Sequence, residues 1–210
     1  MGFQIGDSES ESSWTGFFNS LKDRGLSGVD LVVSDDHRGL VNAVQTCFQG
    51  AAWQRCQTHF TKNILDKCPK SLQAELKARL RTVFEASNTE TARKLAKSIH
   101  EEYADKAARA VEILDQGLED AIAVLALPEY YRRKLRTTNS VERLNEEIRR
   151  RERVIRIFPN PESAVRLLGA MLMEHHEEWS EGRRYFDMSE YWSWKKEQEL
   201  AGKVDCRISA

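Results

Sequence analysis

Hydrophobic spacing along this chain changes character twice. From Ser13 to Arg24, the residues Trp14, Phe17, Phe18 and Leu21 recur three and four apart, which predicts an amphipathic helix ended by Gly25. Val29 to Ser34 is a short apolar run rich in valine. The turn pair Ser27-Gly28 bounds it on one side and Asp35-Asp36-His37-Arg38-Gly39 on the other, so it reads as a buried, central strand. A helix is expected from His37 to Phe48, and Gly50 to Cys56 reads as a further short strand. From Phe60 to Leu127 the period is helical, with Pro69 and Pro128 as brackets and breaks near Ser87-Asn88 and Asp105. Gly2 to Ile5 reads as the tail of a strand, and Ser8 to Ser13 as an acidic polar loop. Past a basic segment come a loop at Phe158-Pro159-Asn160-Pro161, a helix from Glu162 to Trp179 and an aromatic tail. Tyr185, Phe186, Tyr191, Trp192 and Trp194 of that tail are expected to pack on the preceding helix.

This order predicts an α/β protein, mostly helical, in which an all-helical block interrupts the α/β part. Asp35 falls at the end of the first strand, and ligands of open α/β sheets gather beyond the carboxyl ends of strands. The segment Arg136 to Arg151 places Glu142 at the head of a basic helix. Arg132 to Arg156 holds ten Lys or Arg against four Glu, +6 in 25 residues, within a chain whose net charge is −1. An acid kept at the head of such a helix suits a carboxylate that holds a metal beside a polyanion: arginines offset phosphate charge, and the acid is a hard oxygen ligand. Val141, Leu144 and Ile148 form an apolar stripe expected to seat this helix on the sheet, with Asn145 and Arg149 on the Glu142 side.

Each acid also has a plain structural reading. Asp35 or Asp36 would serve as an N-cap of the helix that follows. Glu142 would close a capping arrangement with Asn139 as the cap residue. The basic run would then be a solvated face, and it is the combination that favours chemistry.

At 210 residues and 40% hydrophobic, the chain can hold one substantial core. Four scattered cysteines (47, 56, 68 and 206) fit a reducing cytosol rather than a disulfide framework. No apolar stretch approaches the roughly 20 residues of a membrane span, and the first residues carry no signal-peptide pattern. Cys56 and His59 have metal-like spacing. A structural zinc takes four ligands, however, and would have to recruit Cys47, Cys68 or His37, so zinc is the weaker reading. Adjacent His175 and His176 point about 100° apart on a helix and do not share one ion.

Several ordered stretches together carry a family resemblance. They are Gly6-Asp-Ser-Glu-Ser-Glu-Ser-Ser-Trp14, Arg24-Gly-Leu-Ser-Gly-Val29, Val33-Ser-Asp-Asp-His-Arg-Gly-Leu40, Trp53-Gln-Arg-Cys-Gln-Thr-His-Phe60, Arg136-Thr-Thr-Asn-Ser-Val-Glu-Arg-Leu-Asn145 and Ile157-Phe-Pro-Asn160. From Gly2 to about Trp194 the chain resembles the Mutator-type transposases of bacterial insertion sequences, Asp-Asp-Glu enzymes on an RNase H-like fold. The resemblance implies that Asp35 and Glu142 are catalytic and bind Mg²⁺ or Mn²⁺, with DNA, both transposon ends and target, as the partner. Arg143, Arg149, Arg150, Arg151 and Arg153 are the expected DNA-binding residues, and Cys56, His59, Asn139 and Asn145 complete the motifs. It further implies a partial RNase H-like core from 1–60 and 131–180, an all-α insertion at 61–130 and a tail at 181–210. A homo-oligomer in the bacterial cytoplasm, nucleoid-associated when DNA-bound, with no membrane contact, is the expected setting. The family's first catalytic aspartate precedes the Gly6 segment, where Met1 to Gly6 holds no acid. The expectation is therefore a C-terminal fragment, incomplete at its N-terminal strands and inactive by itself. The alternative is a non-catalytic DNA-binding or regulatory helical protein that uses only the basic helix 132–156.

Overall fold

The computed structural model describes residues 2–6, 8–155, 158–182 and 186–208, with side chains as far as residue 200. Asp7, Arg156, Ile157, Tyr185 and the side chain of Cys206 lie outside the described residues. The chain is α/β and mostly helical. Helix α1 (Glu11–Asp23) precedes β1 (Leu31–Ser34), α2 (Arg38–Cys47) and β2 (Ala52–Arg55). Then follow α3 (Gln57–Leu65), α4 (Lys70–Phe84), α5 (Thr89–Tyr103) and α6 (Ala108–Ile122), a 3-10 turn (Ala123–Ala126) and α7 (Glu129–Leu135). The chain goes on with α8 (Asn139–Ile155), α9 (Pro161–Glu181) and α10 (Ser189–Ile208).

The two strands pair in parallel, Leu31 with Ala52 through Ser34 with Arg55, and α2 is their crossover. Residues 2–6 form no strand, and β1 is neither central nor fully buried. Among the described residues it has one neighbour, so Leu31, Val32 and Val33 are half-buried and only Ser34 is buried. The apolar face of α1 behaves as its spacing predicts: Trp14, Phe17, Phe18 and Leu21 pack with Val32, Ala43 and Val44. Gly39 permits this approach, because a Cβ there would lie 2.8 Å from the backbone of Glu9 and Glu11.

The larger core draws on α3 to α6 and the 3-10 turn, from Phe60 to Leu125. Asn88 breaks the run where expected and caps α5 by accepting from Thr91 N at 2.8 Å. Pro69 and Pro128 stand at the caps of α4 and α7, where a missing N–H goes unnoticed.

The block is held on β2 by buried polar side chains. Gln54 is fully buried; its Nε2 donates to Ala121 O at 2.8 Å and its Oε1 accepts from Val124 N at 2.7 Å. Gln57 Nε2 donates to the same Ala121 carbonyl at 2.8 Å. Arg55 lies over the Phe60 ring, 4.5 Å from its centre, and pairs with Asp36 Oδ2 at 2.9 Å.

Two expectations about the C-terminal half give way. The basic segment is two helices, α7 and α8, divided at Arg136 to Thr138. The stripe on α8 is not seated on the sheet: α8 buries none of its residues, and Val141 and Asn145 line a cleft of about 570 Å³ shared with Phe3 and Trp14. With two paired strands among the described residues, the sheet offers no broad face for that stripe. The tail holds a helix, α10, whose Tyr191 packs on α7 and carries Trp192 and Trp194 against its own ring. Tyr191 meets Tyr131 edge to face at 5.9 Å, its N–H donates to Tyr131 Oη at 2.9 Å, and its own hydroxyl donates to Asp30 Oδ2 at 2.7 Å. Lys195 Nζ adds a 2.6 Å bond to Asp30 Oδ1.

Gly117→Ala on α6 is expected to lower stability by about 1–3 kcal/mol through overpacking, since the new Cβ would stand 2.6 Å from both Arg55 Nη1 and Phe60 Cε2. Gly16→Ala on α1 meets nothing within 4 Å and should instead stabilise by up to about 1 kcal/mol. Thermal unfolding of the two variants checks the opposite signs.

Asp30 gives a pH prediction. Lys195, and then the Tyr191 hydroxyl, hold its carboxyl below the ordinary carboxylate range. A depressed folded-state value contributes stability above the unfolded value of about 4, and that stability is lost as pH falls through the folded value. Asp30→Asn should loosen α10 at neutral pH and remove the acid-side change below about pH 4. Fluorescence of Trp192 and Trp194 reads both effects.

Candidate active site

Asp35 follows β1 directly. Its strand end is fixed by Trp53, whose Nε1 donates to Ser34 Oγ at 2.8 Å, and by Cys56 N donating to Ser34 O at 2.8 Å. Neither aspartate caps α2: His37 occupies the cap and makes no side-chain capping bond. Asp36 turns to Arg55, and Asp35 lies with one oxygen 2.7 Å from His59 Nδ1.

Glu142 sits in the first turn of α8. The residue before that helix is Thr138, whose carbonyl accepts from Glu142 N at 3.0 Å and whose hydroxyl donates to Glu142 Oε1 at 2.7 Å. Thr138, not Asn139, is thus the residue that engages Glu142. Thr138 in turn leans on Cys56, with its N–H 3.5 Å and its Oγ1 3.3 Å from Sγ. One residue on, Gln57 N donates to Arg136 O at 3.0 Å. The start of α8 is therefore docked on the start of α3.

This docking brings the two acids together. Glu142 Oε1 is 3.8 Å from the same His59 Nδ1 that Asp35 approaches. Laid end to end, the two contacts put the carboxylate oxygens no more than about 6.5 Å apart, although 107 positions separate the residues. Both carboxylates are about half exposed. His59 Nδ1 is buried and makes no aligned hydrogen bond, a nitrogen with an unused electron pair or proton between two acids.

A hard divalent ion fits this donor set. Two carboxylates open to solvent supply oxygen ligands and leave room for water or phosphate oxygens, as Mg²⁺ requires. Among the described residues, Asp35, Cys56 and His59 also present ligand atoms within 4.8 Å of one another. Cys47, Cys68 and His37 do not join that group. Cys56 is fully buried against Thr138, where it serves the packing of α8.

The arginines of α8 do not gather at this site as one patch. Arg143, Arg149 and Arg153 are exposed, whereas Arg150 and Arg151 both bond to Glu147. Those two guanidiniums, Arg150 first, hold the Glu147 carboxyl down at about 2. Asn139 and Asn145 are exposed, and His175 is paired with Glu178 at 3.4 Å.

Comparison with known proteins gives the family of the chain. The family described as "Transposase, Mutator family" matches residues 1–182. The chain belongs to the Mutator family of transposases. It is 44% identical over 181 residues to the transposase for insertion sequence element IS256 in transposon Tn4001 of Staphylococcus aureus, covering 85% of this chain and 46% of that protein. It is 40% identical over 188 residues to the transposase for ISRM5 of Rhizobium meliloti, covering 90% of this chain and 47% of the relative. The transposase for IS1081 of Mycobacterium tuberculosis is 39% identical over 188 residues, covering 90% and 45%. The chain spans about half the length of these curated transposases.

Gln54, Arg55, Gln57 and Thr138 escaped the reading of the sequence as positioning residues. Polar side chains of this kind, inside Trp53-Gln-Arg-Cys-Gln-Thr-His-Phe60 where a strand should be apolar, were the signal available.

Thr138→Val keeps the shape and removes the hydroxyl that binds Glu142. The first turn of α8 should open more often, with amide exchange over 139–145 several-fold faster and α4 unchanged. Hydrogen exchange read by mass spectrometry checks it.

Proposed function

We propose that this chain carries part of the catalytic centre of a DNA transposase, in which Asp35 and Glu142 hold a divalent metal, Mg²⁺ or Mn²⁺, for phosphoryl transfer. The observation that carries the reading is the convergence of these two half-exposed acids on His59, in a chain of the Mutator family. When bound, the metal would polarise a phosphoryl oxygen and lower the pKa of a bound water or hydroxyl.

The residues of the chain have separate tasks in this proposal. Asp35 and Glu142 bind and neutralise. Trp53 and Ser34 fix the height of Asp35, and Thr138 with Cys56 fixes that of Glu142. His59, between the carboxylates, offsets their mutual repulsion when it carries a proton, and its Nδ1, 2.7 Å from Asp35, can hold or release that proton beside the reacting phosphate. Exposed Arg143, Arg149 and Arg153 would meet phosphates of the transposon end or the target, with Arg150 and Arg151 exchanging Glu147 for DNA.

We further read the β1–α2–β2 unit as belonging to an RNase H-like core formed by 1–60 and 131–180. The block at 61–130 is the insertion and 181–210 the tail. Its support is the block's own apolar core and the position of α8 beside the strand ends. Self-association, as expected for a transposase that joins two DNA ends, belongs to the same proposal. So does a cytoplasmic, DNA-associated setting; no helix among the described residues is long and apolar enough to cross a membrane.

A chimera tests the reading. The matching part of the Staphylococcus aureus relative is replaced by residues 1–182, and transposition is scored in cells. The chimera should transpose, Asp35→Asn and Glu142→Gln should each bring it to background, and Asp36→Asn should retain activity. Transposition that survives both substitutions would end the proposal.

A further inference from the structure

The described residues hold a second charged feature, a groove along the helical block. Two hollows of about 840 Å³ and 980 Å³ adjoin and share Arg81, Phe84, Glu85 and Arg136. The lining of the groove includes Thr58 and Thr137, each one residue before a residue that touches the paired carboxylates, His59 and Thr138. One wall is α3, with Lys62 on its rim. The other is a ridge of α4 in which Gln73, Lys77, Arg81 and Glu85 recur every four residues, one above the next. Ala74 and Ala78 of the same helix also line the groove and add little bulk, which leaves it open to a chain.

Charge along this groove is one-sided. Lys62, Lys77, Arg81, Arg132, Arg133 and Arg136 line it against three acids, Asp66, Glu85 and Glu129, while the whole chain has net charge −1. Lys62, Lys77 and Arg133 are exposed. Glu85 serves two guanidiniums at once, Arg81 at 3.0 Å and Arg136 at 3.8 Å, so it cannot neutralise both. On α8, Arg150 and Arg151 likewise share one acid, Glu147, at hydrogen-bond distance. In the second hollow Tyr130 is 48% exposed; Lys134 Nζ lies over one face of its ring at 5.5 Å, and its other face is the one on which a base can stack.

We infer that this groove holds the sugar–phosphate backbone of a DNA strand running from the Asp35–Glu142 site, with Lys62 and Lys77 as phosphate contacts and Tyr130 as a stacking face. The inference rests on the transposase reading of that site. An extended polyanion is the partner that matches a continuous cationic channel with one end beside two metal-binding acids. The helical block then has a function in substrate placement that its apolar core does not reveal.

The test needs no catalysis, so its failure differs from failure of the transposase reading. A fluorescent 20-nucleotide single strand is titrated with the 210-residue chain in EDTA at several salt concentrations, and anisotropy gives the affinity. Lys62→Ala with Lys77→Ala should flatten the plot of log affinity against log salt by about 1.4, roughly 0.7 for each lost contact on a single strand. Lys62→Glu with Lys77→Glu should weaken binding further, and Tyr130→Ala should weaken it without changing the slope. Asp35→Asn with Glu142→Gln should bind as tightly as the parent or more so. Circular dichroism confirms that each variant is folded; all the substituted side chains are at least partly exposed. An unchanged slope in the double alanine variant would overturn the groove and leave the chimera result standing. Absence of binding at 50 mM salt would also overturn it, as would displacement of the strand by polyglutamate as readily as by unlabelled DNA.

Discussion

The architecture depends on a small polar contact: the carboxamide of Gln54, wholly buried, joined to Ala121 O and Val124 N. A buried amide is tolerated only when its donors and acceptors are used. Here the amide uses them to terminate α6, taking up backbone groups that a helix end leaves without partners. Gln57 shares the Ala121 carbonyl, so β2 and α3 both grip the same point. The helical block leaves the sheet after β2 and returns beside it, because its last turn is tied to the strand that precedes its first helix. Closing a long excursion between fixed ends has an entropic cost that grows only slowly with length. The distance in sequence between Asp35 and Glu142 is thereby decoupled from their distance in space.

From that anchor, the site assembles in two steps of different character. Parallel pairing sets Ser34 opposite Arg55, so both strands end at one level and deliver Asp35, Asp36 and Cys56 together. Hydrogen bonds to side chains and to a thiol then bring in α8 with Glu142. The first step is strand geometry. The second is a set of individually weak contacts, each worth on the order of 1 kcal/mol, which makes the placement of Glu142 the softer half of the site.

The legibility of the sequence follows the same division. Helices α1 to α6 and both strands could be read because local periodicity, Gly25, Pro69 and Asn88 mark them without reference to anything distant. The pairing of Asp35 with Glu142 was readable only through motif likeness, since nothing local connects a strand end to a helix 107 positions away. What failed was what depends on neighbours. The apolar stripe of α8 promises burial, yet a stripe does not say whether a partner face exists. Val29 to Ser34 has the composition of a central strand, and composition does not count neighbours. The tail aromatics promised packing, and only the fold could say that Tyr131 of α7 and Asp30 receive Tyr191.

The tie between Asp36 and Arg55 has a consequence for any polyanion that comes near. Two aspartates stand side by side at the strand end, and a guanidinium held over Phe60 claims one of them. Without that arginine, Asp36 would add an unpaired carboxylate next to Asp35, and at physiological ionic strength, where screening sets in over about 8 Å, it would repel an incoming phosphate before any counter-charge arrived. With Asp36 engaged by Arg55, Asp35 and Glu142 remain as the pair of carboxylates facing the site, a charge that a single divalent cation balances.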